Sequence, residues 1–121
     1  MSSLLSSTAS TTTSSSTTSL HRLRFEVFGK VQGVFFRKHT HSTATLLSLS
    51  GYCKNTSTGT VVGEAYGKDH QSIGELLKWL QTKGSPKSKI TKVEFTQDVV
   101  EIEQKEFEEN KKLSKFEIEK D

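Results

Sequence analysis

Cysteine and proline are nearly absent: Cys53 and Pro86 are the only ones in 121 residues. A single Cys excludes an internal disulfide framework and a multi-cysteine zinc finger, and it suits a reducing compartment. Long apolar runs are missing too. The longest hold three residues, as in Val34-Phe35-Phe36, so no segment has the length of a membrane-spanning helix. The phosphate-loop pattern with Gly-Lys-Ser/Thr is absent, as is the dinucleotide pattern Gly-x-Gly-x-x-Gly, which removes two nucleotide-binding readings.

Charge is missing from the beginning of the chain. Of the first 19 residues 15 are Ser or Thr and none is charged. Such a stretch has almost nothing to bury and cannot offset its ordering entropy, so residues 1–19 are expected to form a disordered tail. The tail lacks the apolar run of a secretory signal and the arginines and amphipathic period of a transit peptide. About 100 residues remain for a core, enough for one small domain at 20–121.

The charge that is present is unevenly placed. Residues 21–60 carry a net +5, residues 61–97 a net +2 and residues 98–121 a net −4. The basic first half suits an anionic ligand, and it equally suits an unevenly charged solvated surface.

Periodicity supplies the elements. Leu23, Phe25 and Val27 alternate with Arg24, Glu26 and Phe28, a strand over about 21–29. After the loop Gly29 to Val34, the residues Phe36, Thr40, Ala44 and Leu47 fall on one helical stripe, predicting a helix that ends near 48–50 with Gly51 beyond it. Residues 51–55 and 60–66 read as a hairpin around Thr56-Ser57-Thr58-Gly59. Asp69 is placed to cap a helix whose buried face is Ile73, Leu76, Leu77 and Leu80, stopped by Gly84-Ser85-Pro86. Ile90, Val93 and Phe95 begin a fourth strand, and Phe116 and Ile118 a short last one. The acidic stretch between Thr96 and Phe116 reads as mostly solvated, with local packing at Val100, Ile102 and Phe107. The order βαββαβ is the ferredoxin-like split βαβ arrangement, an α+β fold with two helices on one face of a mainly antiparallel sheet. Many functions share that fold, so it decides none of them.

The most informative stretch is Gly29-Lys30-Val31-Gln32-Gly33-Val34-Phe35-Phe36-Arg37. It joins a strand to a helix, with glycines that permit unusual backbone angles. Consecutive N–H groups in such a turn, with those of the helix start, can cradle an anion. Arg37 can grip two phosphate oxygens at once, and Lys30 and Lys38 raise the local anion concentration. Spacing alone favours the ordinary readings, a plain turn and a solvated Arg.

That run, with Gly51-Tyr52-Cys53-Lys54-Asn55-Thr56 and Gly59-Thr60-Val61, resembles the acylphosphatase family over residues 21–118. Gly67, Leu77-Lys78-Trp79-Leu80, Gly84-Ser85-Pro86 and Ile90-Thr91-Lys92-Val93 add to the resemblance. It implies hydrolysis of the mixed anhydride of a carboxylic acid and phosphate. By the same resemblance Arg37 and Asn55 are the catalytic pair, Arg37 holding phosphate and Asn55 the attacking water. Gly29, Gln32, Gly33, Val34, Phe35, Phe36 and Thr56 then line the substrate site. No metal or cofactor is implied. The chain is expected to act as a cytoplasmic monomer on a small acyl phosphate, without nucleic acid or membrane.

Three other readings compete for the same residues. Cys53 lacks the downstream Arg of a cysteine-phosphatase loop and fits a small strand residue at the edge of the core. A ferredoxin-like RNA-binding domain would place its aromatics on a strand, whereas the Gly motif here precedes a helix. An inactive acylphosphatase-like binding module stays open. The departure from the family lies at residues 97–113 and at the end Phe116-Glu117-Ile118-Glu119.

Overall fold

The computed structural model describes residues 17–119. Strand β1 (Thr17–Lys30) leads into helix α1 (Phe36–Leu46), and β2 (Ser50–Asn55) and β3 (Val61–Gly67) form the hairpin. Helix α2 (His70–Thr82), strand β4 (Lys89–Glu103), helix α3 (Gln104–Glu109), a 3-10 turn (Lys111–Leu113) and strand β5 (Phe116–Ile118) complete the chain. The strands line up as β4-β1-β3-β2-β5. All neighbours are antiparallel except β2 and β5, which run parallel. This is the expected α+β fold, with α3 added between the last two strands.

One face of the sheet carries the core. Leu23, Phe25 and Val27 of β1, Cys53 of β2, and Val61 and Ala65 of β3 are buried there with Phe36 and Ala44 of α1 and Ile73, Leu76 and Leu80 of α2. Burying a side chain of the Val, Leu, Ile or Phe type contributes about 1.5–3 kcal/mol against leaving it in water, which makes this layer the main stabilising contact of the fold. Leu77 and Trp79 pack partly against it, and the Trp79 ring lies 5.6 Å from that of Phe36. Asp69 caps α2 as expected, its carboxylate accepting from the Ser72 N–H at 2.7 Å. The carboxyl is held below its ordinary range by that bond.

Three boundaries differ from the sequence expectation. β1 begins at Thr17, so Thr17, Thr18 and Ser19, read as tail, lie in the sheet; residues 1–16 of the expected tail lie outside the described residues. β4 extends through Glu103, so residues 97–103, read as mostly solvated with local packing at Val100 and Ile102, pair with Thr17–Leu23. The two extensions exist because of each other: each supplies the backbone partners that the other's polar side chains do not advertise. Arg22 donates from Nε to Asp98 at 2.9 Å and forms an ion pair with it across this ribbon. Beyond it, α3 and the 3-10 turn bring Phe107 and Leu113 beside Leu20, so the family departure folds back on the sheet. Third, α1 stops at Leu46, short of the expected 48–50, and it is Ser48 that takes a left-handed angle (φ 60°) just past it. Gly51 is inside β2, opposite Ala65, because the hairpin register claims the chain from Ser50 onward.

Candidate active site

The loop between β1 and α1 is fastened at both ends. At its start the β1–β4 register shifts between Phe28 and Gly29, where the backbone of β4 comes so close that a Cβ on Gly29 would lie 2.0 Å from the Lys89 carbonyl oxygen. Only a residue without a side chain fits there. Val31 and Val34 are buried and pin the loop to the core, while Gly33 (φ 74°) and Phe35 (φ 58°) turn the backbone through left-handed angles on either side of Val34. This alternation suits the concave N–H arrangement that holds anions.

Phe35 was not legible as a strained position. It is the residue that caps α1, its ring is 71% exposed, and no side-chain bond accompanies the cap. A non-glycine residue held left-handed costs about 1–2 kcal/mol, and such cost concentrates at functional sites. Val34 and Phe36 have buried side chains, so their contribution to a ligand in this loop is backbone only.

Arg37 occupies the first turn of α1. Its Nη1 donates to the Glu119 carbonyl at 2.7 Å, and its own carbonyl accepts from the Cys53 thiol at 3.8 Å. Glu119 is held in turn: its N–H donates to the Cys53 carbonyl at 2.9 Å, and its carboxylate pairs with Lys112. Lys112 also stands 4.5 Å over the Tyr52 ring. The end of the described chain therefore fixes one edge of the guanidinium fork, a partner that sequence reasoning missed. Only the parallel pairing of β5 with β2 brings Glu119 there. Cys53 is fully buried, as expected of a core strand residue, and burial pushes its thiol up to about 12 against the opposing charge of Arg37.

Asn55 ends β2, two residues beyond Cys53, and pairs with Val61 across the hairpin. The loop and the hairpin turn are tied by the Gln32 side chain, whose Nε2 donates to the carbonyls of Thr56 at 2.8 Å and Thr60 at 2.9 Å. From sequence Gln32 contributes only its backbone amide to the loop; its side-chain link leaves no local signal because the acceptors lie more than 20 positions away. The Thr56 hydroxyl is engaged inside the turn, accepting from Thr60 N–H at 3.1 Å and meeting the Thr60 hydroxyl at 2.7 Å. Thr60 donates onward to Glu26 at 2.6 Å. Thus Thr56 holds the turn next to Asn55. Lys30 and Lys38 are exposed on either side of the loop.

The structure brings together the residues from Gln32 to Arg37 with Asn55 and Thr56 at one end of the sheet. An Arg side chain, a helix start and a left-handed turn thus lie near Asn55, groups of the kind that can bind a tetrahedral anion and orient a water.

Known proteins share this architecture. The family model Acylphosphatase matches residues 23–118. Acylphosphatase-1 of Xenopus tropicalis is 55% identical over 71 residues, 59% of this chain and 71% of that protein. Acylphosphatase-1 of Gallus gallus is 46% identical over 86 residues, 69% of this chain and 86% of that protein. The solved acylphosphatase of Coxiella burnetii superposes with a TM-score of 0.68 at 34% identity, over 83% of this chain and 93% of that one. A match across the β1–α1 loop, the hairpin and both main helices leaves one assignment: the chain belongs to the acylphosphatase family.

Proposed function

We propose that this enzyme hydrolyses the carboxyl–phosphate bond of small acyl phosphates, with Arg37 and the N–H groups of residues 32–36 holding the phosphoryl group and Asn55 orienting the water. The observation that carries this division of labour is the Gln32 bridge, which fastens the anion-shaped loop to the turn beside Asn55. The water oxygen attacks phosphorus in line, the bond from phosphorus to the acyl oxygen breaks, and the carboxylate leaves with the electron pair. The water protons end on inorganic phosphate and solvent. A carboxylate is a stable leaving group, so neither a strong base nor a covalent nucleophile is needed. Positioning and charge balance supply the acceleration.

Asn suits this role because its amide accepts a water proton and donates as well, without ionising. Arg37 supplies the full positive charge assigned to the substrate, and turnover in this reading needs no metal. The free thiol of Cys53 fits the reducing conditions of the cytoplasm, where we place the activity.

The test is benzoyl phosphate hydrolysis with a chelator present, in the parent, Arg37→Ala and Asn55→Ala proteins. Removing Arg37 is expected to cost about 10²–10³ in turnover, the size of other anion-hole deletions, and to abolish inhibition by inorganic phosphate. Removing Asn55 is expected to lose turnover, though no more than removing Arg37, while keeping much of the phosphate affinity. Equal loss of phosphate binding in both variants contradicts the assignment. A folded parent protein without turnover points instead to a binding module.

A further inference from the structure

We propose that Lys112, in the segment where this chain departs from its family, is a positioning residue for phosphate binding that acts through Glu119 on Arg37, a role that rests on the assignment of Arg37 to the phosphoryl group. Arg37 Nη1 donates to the Glu119 carbonyl at 2.7 Å, so the place of that carbonyl decides where one edge of the guanidinium fork lies. Glu119 follows β5, an edge strand of three residues, and its N–H reaches the Cys53 carbonyl at 2.9 Å. So short a strand has few ladder bonds and opens locally at little cost. A second anchor keeps the carbonyl in place, and Lys112 supplies it by pairing with the Glu119 carboxylate.

Lys112 is itself held. Its N–H donates to Asn110 Oδ1 at 3.0 Å. Leu113 beside it is buried, and the Leu113 N–H donates to the Asn110 carbonyl at 3.0 Å. From this seated turn the ammonium lies 4.5 Å over the Tyr52 ring. Tyr52 stands opposite Glu117 in the β2–β5 register, so one cation joins an aromatic face of β2 to the carboxylate just past β5. A side chain already placed against a ring loses less freedom on pairing than one in an isolated surface pair. Charge adds a second effect. The Cys53 thiol, pushed up mainly by burial, is pulled down by Arg37 and pushed up further by Glu119, so the charges of both reach the same buried point. A carboxylate in that position opposes an arriving phosphate, and Lys112 offsets it. Both partners lie in the departing stretches, 97–113 and Phe116-Glu117-Ile118-Glu119, which gives the extra segment a task at the active site.

The experiment measures KM and kcat for benzoyl phosphate, the inhibition constant of inorganic phosphate, and Tm. It uses the parent, Lys112→Met, Lys112→Arg, Glu119→Gln and the Lys112→Met/Glu119→Gln double variant, with Arg37→Ala as reference. Lys112→Met leaves the Glu119 carboxylate unpaired. KM and the inhibition constant are expected to rise together about two- to fivefold, the size of a partly exposed ion pair, with kcat changed less. Lys112→Arg keeps the charge and the ring contact and is expected to restore the parental constants. Glu119→Gln breaks the pair without leaving a bare charge, so its effect is expected to be smaller. Adding Lys112→Met to it should change nothing further, because the two residues act as a unit. A Lys112→Met protein with lowered Tm but parental KM and phosphate inhibition confines the pair to stability and overturns the proposal. So does an Arg variant that restores nothing, or a double variant in which the two effects simply add. A parent without turnover, or an Arg37→Ala protein inhibited by phosphate like the parent, removes the assignment of Arg37 itself, and the role of Lys112 falls with it.

Discussion

Gln32→Met removes the side-chain donor that ties the phosphate-shaped loop to the turn beside Asn55, while keeping length and flexibility. Two hydrogen bonds are lost, to Thr56 and Thr60, each worth about 0.5–1.5 kcal/mol net. Their acceptors are not left bare. The Thr56 carbonyl also receives Gly59 N–H at 3.3 Å, and the Thr60 carbonyl receives Thr56 N–H at 2.9 Å. Gln32 is only half-buried, so water replaces part of what is lost, and the sum falls toward the lower end, about 1–1.5 kcal/mol. For a domain of this size that is a drop of roughly 4–12 °C in Tm. A loop no longer held in place must be ordered when phosphate arrives, so a similar free energy transfers to the binding step. KM for benzoyl phosphate and the inhibition constant of inorganic phosphate should then both rise about five- to tenfold. Thermal denaturation and steady-state kinetics read the two effects separately. A variant with unchanged Tm and unchanged KM refutes the coupling, and one with lowered Tm but unchanged KM confines Gln32 to stability. Gln32→Glu sharpens the test. Its carboxylate faces the two carbonyls that Gln32 now donates to, so the loss is expected to exceed that of Met at pH 7 and to shrink as pH falls through about 4.3.

Two further outcomes follow from the geometry. Phe35→Gly relieves a left-handed non-glycine residue whose ring is largely exposed; against the added freedom of the unfolded chain, stability is expected to hold or rise by up to about 1 kcal/mol in urea titration. Clear destabilisation would mean that the exposed ring makes contacts that matter more than the backbone angle. Asp69 and Asp98 are held below the ordinary carboxylate range by the Ser72 bonds and by Arg22. Groups with depressed folded pKa values contribute stability above the unfolded pKa of about 3.9 and lose it as pH falls through the folded value. Tm should therefore decline in acid below that point, and Asp69→Asn with Asp98→Asn should flatten the decline; an unchanged slope contradicts the assignment of those bonds.

Much of the architecture was legible because its signals are local. The two-residue alternation from Leu23 to Val27, the helical stripe of Ile73, Leu76 and Leu80, the Asp69 cap and the Thr56–Gly59 turn each depend on neighbours within a few positions. In these places composition and period alone determine which element forms and which face is buried, because the controlling distances are those of a helix turn or a strand pleat. The candidate site residues also sit in two local stretches, a run of Gly, Val, Phe and Arg and an Asn at the end of the next strand, but it was the resemblance to the acylphosphatase family, and not their spacing, that singled them out.

The tertiary structure decided what depends on partners distant in sequence. Thr17 to Ser19 are in the sheet only because residues 101–103 lie beside them. The polar side chains of both segments gave no apolar pattern to read, and the backbone hydrogen bonds that join them leave no trace in composition. Phe35 is left-handed because buried Val34 and Phe36 on either side fix the path between them. The Gln32 bridge spans 24 and 28 positions, and the Arg37–Glu119 contact spans 82. Which amide meets which carbonyl is settled only when β5 docks on β2 and the hairpin turn comes to rest against the loop, since hydrogen bonds need partners at about 3 Å in three dimensions, whatever their separation along the chain.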